Sequence, residues 1–178
     1  MLRLKNKKFV PAISLIELLV VIVIVGILAA AVGPNLGGWN CRQDLRNDFE
    51  NINGFMQTLR LEAVNRNKTM KAVLKSGRIL MAFEGNTPNA NQNCNGSRFT
   101  WLGHPKTKDI IDYHIKSKIT FQRTFGCFKA DGSATANSYT LSRQCGGKTY
   151  LYRSQIFGAT GFISKEQYNS NKAIWEDL

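Results

Sequence analysis

Between Ile13 and Val32 the chain is apolar at every position except Ser14, Glu17 and one glycine. A helix of that length spans about 30 Å at 1.5 Å per residue, the thickness of a bilayer hydrocarbon core. After Pro34, Gly37 and Gly38 a second pattern begins. Leu45, Phe49, Ile52, Met56, Leu59 and Ala63 recur at alternating spacings of four and three, one apolar stripe on an amphipathic helix. Arg46, Asp48, Glu50, Asn51, Gln57, Arg60 and Glu62 fall on the opposite side, with Arg46–Glu50 and Glu62–Arg66 at i, i+4. An Asn, Lys and Thr stretch ends the pattern near Asn65. Joined as one helix, the two halves measure roughly 78 Å, more than a body of this size can bury. The first half must therefore project. Pro34 removes a backbone donor and the glycine pair adds freedom, so a kink or local loosening is expected around Pro34, Gly37 and Gly38.

Beyond the helix the period shortens to that of strands. Runs at 69–75 and 78–84 flank a Ser-Gly turn as a hairpin, and the polar, Asn-rich stretch GNTPNANQNCNGS reads as a loop tethered at Cys94. Further strands are expected at 98–102, 110–115, 118–124, 126–129, 138–142, 148–154 and 161–164, and the tail 165–178 is polar except for Ile174 and Trp175. Many short strands behind one helix predict an α+β domain with antiparallel sheets covering the stripe.

The chain's 178 residues suffice for one globular body and one projecting element. Arg3, Lys5, Lys7 and Lys8 precede the apolar run, and basic residues beside a span stay on the cytoplasmic side, which exports the remainder. The formal charge is +12; without those four cations 20 Lys and Arg face 12 Asp and Glu, leaving +8. All four cysteines, Cys41, Cys94, Cys127 and Cys145, lie in the exported part at spacings that fit neither a zinc pair nor a redox dithiol, so disulfides are expected. Three pairings are open. Cys127 and Cys145 flank the turn-rich ADGSATANS, which favours Cys127–Cys145 with Cys41–Cys94.

Two readings of the N-terminus compete. In one, a secretory signal is cleaved near Ala29, Ala30 and Ala31, giving a chain that starts about Val32. Against it, a carboxylate in an apolar span costs about 2.5–3.5 kcal/mol at a helix centre, somewhat less near the interface. A disposable signal has no use for that. In the other reading cleavage falls between Ala12 and Ile13, and the apolar segment stays.

KKFVPA followed by ISLIELLVVIVIVGILAAAVGP resembles the class III signal of type IV prepilins and type II secretion pseudopilins. The resemblance implies a leader over 1–12, cleavage by a prepilin peptidase at Ala12/Ile13, N-methylation of Ile13, a membrane and assembly helix over 13–36, and a periplasmic globular domain over 37–178. Ala12 stands where the family usually has glycine, and Ile13 where it has phenylalanine or methionine. Glu17 becomes the fifth mature residue. Its carboxylate would meet the new Ile13 amine of an adjacent subunit within the apolar layer and set the axial register, while Ser14, Leu15 and Ile16 serve processing and docking. LRLEAVNRNKTMKAVL and FKADGS further resemble GspH-like pseudopilins and FimT/FimU-type minor pilins. The resemblance thus implies a pilin-like fold, a long N-terminal helix on antiparallel sheets, and a minor pilin of a type IV pilus within a tip or priming complex. Its partners would be other minor and major pilins, the inner membrane and the prepilin peptidase. The alternatives are a GspH-like pseudopilin of type II secretion and a DNA-binding competence pilin.

Catalysis fits poorly. His104 and His114 show no repeated ligand spacing, and no phosphate loop or nucleophile elbow occurs, so neither an enzyme nor a cofactor or metal is expected. DNA is the rival partner: Arg60, Arg66, Lys68, Lys71, Lys75 and Arg78 form a basic run that phosphates would favour. Some FimT-like pilins bind DNA through a basic motif after a glycine near the C-terminus, but here Phe162 follows the matching Gly161.

Overall fold

The computed structural model describes residues 14–88, 94, 98–103, 112–121 and 126–178; the side chains of 30–36, 87–88, 119 and 121 are not described. Ala12, Ile13, His104 and an Asn95-Gly96-Ser97 glycosylation pattern lie outside the described residues. The architecture is α+β. Helix α1 (Leu15–Asn65) is assigned helical through Pro34, Gly37 and Gly38, and the chain divides into two compact units between Gly37 and Gly38. Among the described residues no helix is long and apolar enough to cross a membrane.

Ten strands follow: β1 (Lys68–Lys75), β2 (Ile79–Pro88), β3 (Phe99–Trp101), β4 (Tyr113–His114), β5 (Lys118–Phe121), β6 (Cys127–Phe128), β7 (Asn137–Cys145), β8 (Lys148–Ile156), β9 (Ile163–Asn169) and β10 (Ile174–Asp177). They form two antiparallel sheets. The first has the order β3-β2-β1-β6, with β4 also on β2; the second has the order β10-β9-β8-β7-β5. The chain changes sheet between β4 and β5 and again on each side of β6.

The second half of α1 is held by its stripe. Leu45, Phe49, Ile52, Met56, Leu59 and Ala63 are fully buried, together with Met70, Ala72, Leu80 and Phe128 from the first sheet and Leu141 and Tyr139 from the second. The Phe49 ring lies 5.0 Å from that of Tyr152. Alternation along β7 and β8 places Tyr139 opposite Ser154 and Leu141 opposite Tyr152 on the covered face.

Two buried polar groups complete the contact. Asn53 is fully buried; its Nδ2 donates to the Phe49 carbonyl at 2.8 Å, and its Oδ1 accepts from Tyr139 Oη at 2.8 Å and Ser154 Oγ at 2.7 Å. Asp48, expected on the solvent side, is instead 2% exposed. Its carboxylate accepts from Tyr113 Oη at 2.8 Å and from the backbone N–H groups of Lys116 at 3.0 Å and Ser117 at 2.8 Å. The crossover from β4 to β5 passes over α1 there, and its N–H groups require an acceptor. Glu62 and Arg66 pair as expected, at 2.6 Å, whereas Glu50 pairs with Lys165 of β9.

The disulfides are Cys41–Cys145 and Cys94–Cys127, with Cα–Cα distances of 5.6 and 6.0 Å, which corrects the expected Cys127–Cys145 and Cys41–Cys94. ADGSATANS does not close a hairpin: Cys127 lies in β6 of the first sheet, opposite Lys71 of β1, and Cys145 ends β7 in the second. Between them the chain crosses from one sheet to the other. Cys145 therefore meets α1, and Cys94 fastens its loop to β6. The polar tail carries regular structure, since 163–169 and 174–177 form a hairpin in which Tyr168 and Trp175 meet edge to face at 5.3 Å.

Removing the Cys41–Cys145 bridge should lower stability by about 4–5 kcal/mol and the shorter Cys94–Cys127 loop by about 3–4 kcal/mol on a chain-entropy account. Non-reducing peptide mapping should recover these two pairs. Asn53→Ala, which removes the acceptor shared by two buried hydroxyls, should cost about 1–3 kcal/mol in urea denaturation.

Burial, reinforced by the Asp48 carboxylate and offset by the Asn51 hydrogen bond, pushes the Tyr113 phenol up to about 12, and burial raises Tyr139 further. The folded chain then holds phenolic protons that the unfolded chain releases near pH 10. Their contribution is complete below about pH 10 and declines as pH rises towards 12. Denaturation across that window should show the decline, shallower in Tyr113→Phe.

Candidate functional site

The first unit presents an unusual surface. All twelve bulky apolar residues from Leu15 to Leu28 are exposed, from 49% at Val20 to 89% at Leu15, and they lie all round the helix. Folded soluble domains rarely leave so large a continuous apolar surface uncovered; a helix apolar on every side is normally buried in protein or lipid. The described apolar stretch, 15–29, is roughly 22 Å long.

Ser14 precedes the helix and acts as its N-cap. Its Oγ accepts from the Glu17 N–H at 3.2 Å, and its carbonyl accepts from the N–H groups of Glu17 and Leu18. Ser14 and Glu17 have the Ser-x-x-Glu spacing of a capping box, a local signal that the membrane reading of Glu17 passes over. A carboxylate in the first turn also faces the positive end of the helix dipole. Among the described residues the Glu17 carboxylate has no hydrogen-bond or ion-pair partner, so capping leaves its charge unmatched.

The basic run does not gather into one patch. Arg60 Nε donates to the Gly132 carbonyl at 3.2 Å. Arg66 reaches Glu62 at 2.6 Å and Glu84 at 3.8 Å, and Lys68 reaches Glu84 at 2.8 Å. Lys71 lies over the Phe99 ring at 4.0 Å, with Nζ 3.4 Å from the Cys94 carbonyl, and burial lowers its pKa. Lys75 and Arg78 sit exposed at the β1–β2 turn, and Lys75 is roughly 23 Å along β1 from Lys68. Four of the six are thus held by carboxylates or carbonyls, and Lys71 is also turned onto aromatic rings.

The turn 157–162, where the resemblance places a basic motif, is apolar and tightly pinned. Gly161 has φ +63°, donates to the Phe157 carbonyl at 2.7 Å, and leaves room for no side chain: a Cβ would lie 2.3 Å from the Gly132 oxygen. Phe157 and Phe162 stack at 6.0 Å on the exposed side. Gly161→Ala should therefore lower stability by more than about 1 kcal/mol, measured by urea denaturation.

His114 stands exposed in β4, and among the described residues no group of His, Cys, Asp or Glu is arranged to hold a metal. Trp101 is half-buried, its Nε1 donating to Asp112 at 3.1 Å. No protein-family model, no curated protein and no solved structure matches the chain.

Proposed function

We propose that the chain is a minor subunit of a type IV pilus, held in the inner membrane by its N-terminal helix and then drawn into the filament within a tip or priming complex. One observation carries the reading: the twelve bulky apolar side chains from Leu15 to Leu28, which encircle the helix, are all exposed. Burying a Leu, Ile or Val side chain is worth about 1.5–3 kcal/mol, so this helix is driven strongly towards lipid or like helices. Together with the flanking apolar positions, 13–32 makes a span of about 30 Å. Lipid serves before assembly and the helices of neighbouring subunits after it.

The unpartnered Glu17 carboxylate supports the same reading. In a helix bundle it would attract the Ile13 amine exposed by cleavage on an adjacent subunit, and the helix end capped by Ser14 holds it at a fixed depth. The basic run expected to meet DNA is largely committed to internal partners, so the assembly reading is preferred over DNA capture at that site.

Mass spectrometry of the native chain should find methylated Ile13 at the N-terminus; a chain that begins near Val32 overturns the proposal. Glu17→Ala should leave export and cleavage intact and lower incorporation into pili about tenfold or more, equivalent to 1.4 kcal/mol.

A further inference from the structure

The α1 residues Trp39, Arg42 and Arg46 follow one another at i, i+3 and i+7, so they share one helix face. That face walls a groove of about 340 Å³ whose other wall is formed by β8 and β9, with Tyr150, Tyr152 and Gln167. Tyr152 and Gln167 are cross-strand neighbours. The volume falls at the low end of small-ligand sites.

Many cations of the body are matched by carboxylates. Arg66, Lys68, Arg143, Arg153, Lys165 and Lys172 each contact a carboxylate. Among the described residues Arg42 and Arg46 contact none, and like charges at i, i+4 repel. The one acidic residue between them, Asp44, is engaged by Arg143 at 3.3 Å and Lys116 at 3.8 Å. Both guanidinium groups act on the Tyr152 phenol, where burial raises the pKa and Arg46 and Arg42 pull it back. Two cations therefore act at one place, where the anion that also acts, Glu50, is held by Lys165.

The remaining groups narrow the ligand. The Arg42 guanidinium lies over the Tyr150 ring at 5.5 Å, which steadies a fork suited to phosphate oxygens. Trp39 leaves 56% of its surface open beside it, a flat apolar face available for stacking. Among the described residues the Gln167 side-chain amide has no hydrogen-bond partner, so it can both donate and accept at a base edge.

We propose that this groove binds a nucleotide unit, a planar base joined to a phosphate, presented on a single strand. The base stacks on Trp39, Arg42 and Arg46 hold the phosphate, and Gln167 meets the base edge. An acidic protein segment or a lipid headgroup would answer the arginines but would leave the indole face and the amide unused. A duplex hides its base faces and cannot stack here. The site is separate from the basic run at 60–78, and it stands whether or not the chain enters a filament.

The test is titration of the full-length chain in detergent micelles with labelled oligo-dT, following anisotropy and intrinsic tryptophan emission together. The expected result is binding with quenching that disappears in Trp39→Phe, which retains Trp101 and Trp175. In Arg42→Gln/Arg46→Gln binding should weaken by about tenfold or more, and the slope of log K against log salt should flatten by about 1.4. Separate titrations with dTMP distinguish the source. Binding of dTMP as tight as oligo-dT assigns the site to free nucleotides, and weaker binding assigns it to strands. Unchanged oligo-dT binding in the double variant, or quenching that survives Trp39→Phe, overturns the proposal. So does quenching of Trp39 by polyglutamate or phosphatidylglycerol vesicles with no oligo-dT binding, which would assign the groove to an acidic partner or a membrane surface. Far-UV circular dichroism of each variant confirms the fold, since all three substitutions lie at the surface of the groove.

Discussion

The body is organised by one face of one helix. Six apolar side chains from Leu45 to Ala63 enter the space between two sheets that share no strand, and α1 packs against both. Asn53 and Asp48 give that face its direction. Asn53 accepts two hydroxyls from the second sheet, and Asp48 accepts two backbone amides and a phenol where the chain leaves the first sheet. Apolar packing alone would allow the helix to slide or rotate; five hydrogen bonds to two adjacent turns fix both its depth and its rotation. Buried polar groups favour uniqueness of packing in this way only when each is satisfied, as these are.

The amphipathic stripe was legible because helical periodicity repeats six times over nineteen residues, and its end near Asn65 coincides with the end of α1. Most strands were legible for the same reason, through alternation and turn residues. The polar contacts of the helix were not: Asp48 and Asn53 have the side chains of a solvent face, and only the path of the crossover reveals that they are enclosed. The disulfide pairing was obscured because nearness in sequence suggests a hairpin, whereas the chain changes sheets between Cys127 and Cys145. The last hairpin was hidden by its composition. Glu166, Gln167, Tyr168, Trp175 and Glu176 pair through Arg153 and through aromatic edges rather than through an apolar face. At the N-terminus, the Ser14–Glu17 spacing carried a capping signal that the more conspicuous misfit of a carboxylate among apolar residues overshadowed.

The distribution of charge shows why a net positive body need not have a positive patch. Of the basic residues around the end of α1, Arg66 and Lys68 are matched by Glu62 and Glu84, and Arg60 is threaded between Gly132 and Gly161 as a brace. Clustering along the sequence therefore says little about free charge in space. Arg42 and Arg46 show the reverse: two cations inconspicuous in the sequence remain unmatched, beside exposed and half-buried rings.

The Cys41–Cys145 bridge bears on how the molecule carries load. Tension applied at the start of the body would meet, at Cys41, a covalent shortcut to the end of β7 that bypasses the chain between the two cysteines. That segment, which includes the buried helix face, the whole first sheet and the second bridge, amounts to about 350 Å of chain that tension cannot pay out. Under such tension the strands after Cys145 would open first, and the core inside the bridge would be shielded from shear.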